Sequence, residues 1–374
     1  MAAIKMRSGS RVYQWGLSLV ELMVGLTIGL VLTLGLFTLI GSQSATFKIQ
    51  DDFARMQENG TITLRYVGDS VRMAGFYGYL MDPTNLVTTG VATTTDCGSG
   101  ANPPAANWAL NAQVPVFGFS DITELTVNGI LPCILAANFM PMPLGQQILV
   151  TRSAAGFRIP DPNADGNLTD GLTAQTNFTT TIYVQGDPNA GLLFYGNDFA
   201  ALKAATSTRV LPTGADVDIF EYRTHVYYIR PCSRPTGGGA TCTGATDDNG
   251  QPIPTLVRQE LVGSAMVEVP LVEGVERLDL RFGLDTTNDG VVDTYTATPA
   301  AADWINVVAV RVTVLVRAPT VTAGHNDADK RYDLDGDNVV DFDCALIGGN
   351  SCAYKRKVFT QTFQVRNVAQ RRGG

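Results

Sequence analysis

The chain has 374 residues, a formal net charge of −8 and only 17% charged residues. Such a balance lacks the basic face that phosphate contacts require, which excludes a nucleic-acid binder. The length is long for one domain without clearly making two, and the abundance of Thr, Ala, Val, Gly and Asn suits a β-rich extracellular domain with many loops.

The first element is a short leader carrying Lys5, Arg7 and Arg11 and no acidic residue. It runs into Gly16-Leu17-Ser18-Leu19-Val20-Glu21, and from Leu22 to Ile40 there is neither charge nor proline. At helical rise that run crosses a bilayer core of ~30 Å. A secretory signal is cut after its hydrophobic run. Here the small residue stands before the run, at Gly16, so a cut there leaves the helix on the mature protein. Glu21 then lies four residues into the mature chain, where a carboxylate in lipid needs a partner. Cations before the helix and an acidic domain after it place the leader in the cytoplasm and residues beyond about 41 outside.

The helix is expected to continue. Ile49, Phe53, Met56, Gly60, Leu64, Val67 and Val71 recur at spacings of three and four, one face of an amphipathic helix, with Asp51, Asp52, Arg55, Glu58 and Arg65 off the stripe. In the apolar half, Gly25 and Gly29 form a GxxxG pair that lets neighbouring helices approach closely. Arg72–Gly78 ends the helix, and a low-complexity loop follows over about residues 82–113. Strands are expected at Gln147–Arg152, Thr180–Gln185, Phe220–Ile229, Arg277–Gly283, Val307–Val316 and Val358–Val365. Residues 232–255 look like a disulfide-closed loop.

All six cysteines, Cys97, Cys133, Cys232, Cys242, Cys344 and Cys352, follow the apolar helix, and an even number in an oxidising compartment implies disulfides. Neither close pair has CxxC spacing, which argues against zinc or thioredoxin-like chemistry. Six cysteines allow 15 pairings. Cys232–Cys242 and Cys344–Cys352 are favoured because they close short loops, and Cys97–Cys133 follows by elimination.

Three acidic loops resemble calcium sites. Asp161, Asn163 and Asp165 precede Gly166, with Asp170 available to close the shell. Asp285, Thr287 and Asp289 precede Gly290, with Asp293 beyond. Asp333, Asp335 and Asp337 alternate, with Asn338 in the place of the glycine, able to take the left-handed turn conformation, and Asp341 beyond. Oxygen ligands at loop positions one, three and five followed by glycine open the known calcium-loop pattern, but none of these loops carries its position-twelve glutamate. The alternative is an ordinary turn, since Asp, Asn and Gly build β-turns without an ion. No cofactor is otherwise required. His225 and His325 lie in no metal-ligand pattern, and there is no P-loop, GxSxG or Rossmann fingerprint, so no enzyme is expected. Trp304 reads as core.

The residues Gly16 to Glu21 and the helix behind them resemble the class III signal of type IV pilins and type II secretion pseudopilins, although that family usually has Phe where this chain has Leu17. The segment Gly274–Asp285, Trp304, Val307–Val312 and Phe359–Asn367 looks like the PilW-type minor pilins, and Arg72–Phe76 fits the same group. The resemblance implies an α+β pilin fold: a leader over 1–16, a long helix over 17–76 with its transmembrane half at about 20–40, and a β-rich extracytoplasmic domain over 77–374. It implies cleavage after Gly16 by a prepilin peptidase, methylation of Leu17, and Glu21 pairing with an N-terminal amine during assembly. The implied partners are other minor pilins, a PilY-type tip adhesin, the major pilin and the inner-membrane assembly platform. The implied location is the inner membrane with a periplasmic domain, then the pilus tip at the cell surface, in support of adhesion and twitching motility. The rival readings are a J-type pseudopilin of type II secretion, an uncleaved signal anchor, and a membrane-tethered extracellular enzyme or ligand-binding protein.

Overall fold

The computed structural model describes residues 16, 18–93, 96–97 and 107–373. Residues 1–15 of the leader, the expected new N-terminus Leu17, and residues 94–95 and 98–106 of the low-complexity loop lie outside the described residues. The contacts divide the chain into two units, residues 1–52 and 53–374.

The first unit is the opening part of one α-helix, Leu19–Met73. Leu19–Ile40 is a 22-residue stretch of mean hydropathy 2.3, long and apolar enough to cross a membrane by length and composition. A chain in lipid must satisfy its polar groups within its own helix. The side chains follow that rule: the hydroxyls of Thr27, Thr33 and Thr38 donate to the carbonyls of Val24, Gly29 and Gly35. Further along, Asp52, expected off the apolar stripe, is buried.

In the second unit the rest of the helix buries Met56, Gly60, Leu64, Val67 and Val71, as the stripe predicts, and leaves Arg55, Glu58 and Arg65 exposed. Phe53 departs from the pattern: it is 45% exposed, and the Lys355 ammonium lies 5.3 Å from its ring centroid. The helix stops where Gly75 takes φ +78, and the Gly75 amide turns to the Arg152 carbonyl at 2.9 Å. Only a residue without Cβ adopts that left-handed conformation without strain.

Among the described residues the β structure forms two sheets. The larger contains β1 (Leu86–Thr88), β2 (Val116–Ile122), β3 (Gln146–Arg158), β4 (Ile182–Gly186), β5 (Gly191–Tyr195), β6 (Ile219–Arg230), β7 (Thr255–Val262) and β8 (Ala265–Glu273). Its order is β1-β5-β4-β6-β3-β2, with β7 and then β8 added beside β6. The smaller sheet, β10-β9-β11-β12, contains β9 (Val275–Leu284), β10 (Thr294–Thr296), β11 (Val307–Arg317) and β12 (Arg356–Gln364). All pairings are antiparallel except β1 with β5. The six expected strands fall on β3, β4, β6, β9, β11 and β12. The fold is α+β, with an N-terminal apolar helix and largely antiparallel sheets.

The smaller sheet meets the helix through one face. Val310 stands beside Phe282 and Phe363, and Val314 beside Leu278 and Phe359. Laterally paired residues share a face, so these side chains form one apolar layer. Gly60 and Gly68 of the helix sit against it: a Cβ on Gly60 would lie 2.4 Å from the Phe359 ring, and one on Gly68 2.3 Å from Phe363. Eight helical residues rise about 12 Å, and four strand residues span about 13 Å. The two glycines therefore match the two phenylalanines one to one, with β12 running in the same direction as the helix. Trp304 is core, as read, with its ring 4.3 Å from Phe117 and 4.8 Å from Phe282 between centroids.

Candidate functional site

At the start of the helix Glu21 and Ser18 cap one another. The Ser18 amide donates to Glu21 Oε2 at 3.1 Å, and the Glu21 amide donates to Ser18 Oγ at 3.4 Å. This reciprocal capping box satisfies helix-end amides that have no intrahelical partner. Glu21 thus has a local structural role in the single chain. Nothing lies within 4 Å of a Cβ built on Gly25 or Gly29.

The six cysteines form three disulfides, Cys97–Cys133, Cys232–Cys242 and Cys344–Cys352, with Cα separations of 4.7, 5.8 and 5.1 Å. The last two are the pairs favoured because they close short loops, and the first is the one reached by elimination. The loop closed by Cys232–Cys242 is organised by the buried Asp247, whose carboxylate accepts from the amides of Thr236, Thr243 and Gly244.

The acidic loops differ from one another. In the first, Asp161 accepts from the Gly166 amide, Asp165 from the Asn167 amide, and the Asn163 amide group donates to Asp170 at 2.6 Å. Its carboxylates close the loop on itself, beside an open cleft of about 960 Å³ that also contains Arg158. The second loop joins β9 to β10. Asp285 is fully buried and accepts from the amides of Asn288, Asp289 and Gly290 and from Arg372 Nε at 2.8 Å. Burial opposes its charge, but the Arg372 guanidinium and those amides outweigh burial and bring the carboxyl down to about 2. Asp293 accepts from the amides of Thr286 and Thr287, and Asp289 from that of Val291. This loop is built as a hairpin connection.

The third loop reaches out of itself. Asp333 accepts from the amides of Gly336 and Asn338, and Asp341 from that of Leu334. Asp335 and Asp337 pair with Arg281. One carboxylate oxygen each of Asp279, Asp335 and Asp341 lies within 4.8 Å of the other two, and the same holds for Asp333, Asp335 and Asp337. Asp279 comes from β9 and was not singled out from the sequence. It lies on the face opposite the apolar layer, the face that also bears Arg277 and Arg281. Burial and then the charge of Asp341 push its carboxyl up to about 7, against the pull of Arg277.

Ser70 Oγ lies 3.1 Å from His225 Nδ1 and 2.5 Å from the Tyr227 hydroxyl. Burial first, then the charges of Arg258 and Arg223, drive His225 down to about 3. An imidazole so disfavoured as a cation, flanked by guanidinium groups, is poorly suited to accept a proton from a nucleophile. His225 packs the helix end against the sheet. His325 pairs with Asp327 at 3.1 Å.

The family model for type IV pilus-assembly protein W matches residues 241–367. That range spans β7 to β12, including the apolar layer and the third acidic loop. A type IV-like pilin from Thermus thermophilus is similar over 40% of this chain and 79% of its own, at 12% identity and a TM-score of 0.20. No curated protein matches the chain. The family match supports a type IV pilus-associated protein with an N-terminal membrane anchor.

Proposed function

We propose that the chain is a PilW-type minor pilin: a structural subunit, not an enzyme, that helps prime type IV pilus assembly in a tip complex. The observation that carries this reading is the combination, in one chain, of Gly16 and Glu21 at the head of a 22-residue apolar helix with a pilus-assembly match over residues 241–367. Cleavage after Gly16 would free the Leu17 amine for methylation and leave the helix in place. In a bundle of like helices Glu21 would meet a cation, the amine of its own or of a neighbouring subunit, and buried charges persist in an apolar setting when so paired. Gly25 and Gly29 would supply the close-packing face. Other minor pilins, the major pilin, a PilY-type adhesin and the assembly platform are the partners of this reading. The domain would stand in the periplasm before assembly and at the pilus tip afterwards, in support of adhesion and twitching. The three disulfides suit that oxidising location.

Two measurements test it. Mass spectrometry of sheared surface filaments should find a methylated peptide beginning at Leu17; a chain confined to membranes with residues 1–16 attached would defeat the proposal. Glu21→Gln separates charge from capping, because glutamine still accepts the Ser18 amide as a capping-box residue. We expect the variant to insert and be processed but to be lost from filaments. Incorporation equal to wild type would remove the charge-pairing role.

A further inference from the structure

Strand β9 alternates Arg277, Leu278, Asp279, Leu280, Arg281, Phe282. Alternation of this kind normally turns the polar residues to water. Here the polar face is covered: Asp279 is 1% exposed and Arg277 4%. The cover on one side is the loop between Tyr332 and Phe342, two residues that bridge to each other and close it. On the other side Gln147 of β3 donates from Nε2 to Asp279 Oδ2 at 3.2 Å.

Asp279 Oδ1 is buried and accepts no hydrogen bond. The nearest guanidinium does not serve it: Arg277 Nη2 stays 3.9 Å from Asp279 and 3.9 Å from Asp341, while its Nη1 donates to the Gly145 carbonyl at 2.8 Å. Arg281 is committed to Asp335 and Asp337. Asp279, Asp333, Asp335, Asp337 and Asp341 thus face two arginines, an excess of carboxylate in which Asp279 is buried, Asp335 and Asp341 are half-buried, and Asp333 and Asp337 are exposed. An isolated buried carboxylate is costly unless something pairs with it. Converging carboxylate oxygens without a sulfur or imidazole donor are the ligands of a hard divalent cation.

We propose that Asp279, Asp335 and Asp341 bind a calcium ion that clamps the 333–341 loop onto β9. Asp279, outside the loop, makes the site a tertiary one, which explains how a loop without the position-twelve glutamate could hold an ion. Asp333, exposed and outside the group that Asp279 forms with Asp335 and Asp341, accepts from the Gly336 and Asn338 amides and shapes the turn, while Asp335 would bind the ion in addition to Arg281 and the Asp337 amide. The remaining coordination positions fall to backbone oxygen and water, as in most sites of this metal.

The test uses the full-length chain in detergent, stripped with EGTA and then titrated with calcium chloride at constant ionic strength. Thermal unfolding is followed by far-UV circular dichroism, and binding by titration calorimetry. The expected result is one saturable site whose filling raises the melting temperature by about 4 °C when calcium reaches a hundred times its Kd. Asp279→Asn, nearly isosteric, should weaken calcium binding at least tenfold and abolish the shift, whereas Asp165→Asn in the first acidic loop should retain both. Asp335→Asn provides the same reading if Asp279→Asn does not fold. A wild-type chain that shows no shift and no heat of binding would overturn the proposal. So would a shift of unchanged size in both Asp279→Asn and Asp335→Asn, or one lost only in Asp165→Asn.

Discussion

Replacing Gly68 by alanine tests whether the helix and the smaller sheet are held in register by glycine-on-phenylalanine contacts. Alanine in a helix interior is favoured over glycine by about 1 kcal/mol, so on helix propensity alone Gly68→Ala should stabilise. The contact opposes it. The new Cβ would lie 2.3, 2.5 and 2.8 Å from Cε1, Cζ and Cδ1 of Phe363. That ring is only 2% exposed, and the Arg72 guanidinium sits 4.9 Å from its centroid. With little room to move, the overpacking cost falls in the usual range of about 1–3 kcal/mol and exceeds the gain in propensity. We expect Gly68→Ala to lower stability by about 1–2 kcal/mol. Phe363→Leu removes the opposing ring, so Gly68→Ala made in that background should cost at least about 1 kcal/mol less than it does alone. Denaturant unfolding of the full-length chain in detergent, followed by tryptophan fluorescence, gives both numbers. A stabilised Gly68→Ala, or strictly additive effects of the two substitutions, would refute the register argument.

Two further predictions concern buried charge. His225 is neutral when folded, with its pKa driven down to about 3, while the unfolded chain takes up a proton near pH 6.5. The unfolded state therefore binds more protons between these values, and stability falls as pH drops below 6.5, by at most about 2 kcal/mol from pH 7 to pH 5. His225→Gln should flatten that slope in unfolding curves at the two pH values, and an unchanged slope would show that the histidine is not its source. The second concerns Glu276, which is 1% exposed and accepts from Arg356 Nε at 2.6 Å and Nη2 at 3.1 Å, with Arg317 3.8 Å away. Glu276→Gln strands two buried guanidinium groups and should cost about 3–5 kcal/mol, read as a lowered denaturation midpoint; a loss below 1 kcal/mol would mean that water reaches the pair.

What the sequence disclosed follows from how local each signal is. The long helix was legible because its apolar run and amphipathic stripe are properties of consecutive residues. Phe53 breaks the stripe because the helical period says which face a residue is on, and not how far the sheet extends beneath it. β9, β11 and β12 alternate or run apolar over seven or more residues and were read directly. β7 and β8 escaped because Arg258, Gln259 and Glu260 interrupt the apolar pattern of one, and Pro270 of the other argues for an edge strand or none. β1 and β10 are three residues each, too short for any period. The same limit divides the candidate site. Asp333, Asp335, Asp337 and Asp341 lie within one loop, and their turn chemistry is visible in their spacing. Asp279 is placed by strand alternation on the polar face of β9, but alternation predicts solvent there. Only the return of the chain through residues 327–343 turns that face inward and brings a buried carboxylate with one unpaired oxygen against two from the loop. An acidic residue on the wrong side of a strand, with charged neighbours at i ± 2, was the one sequence signal available. It becomes informative only when the packing shows the strand covered on both faces.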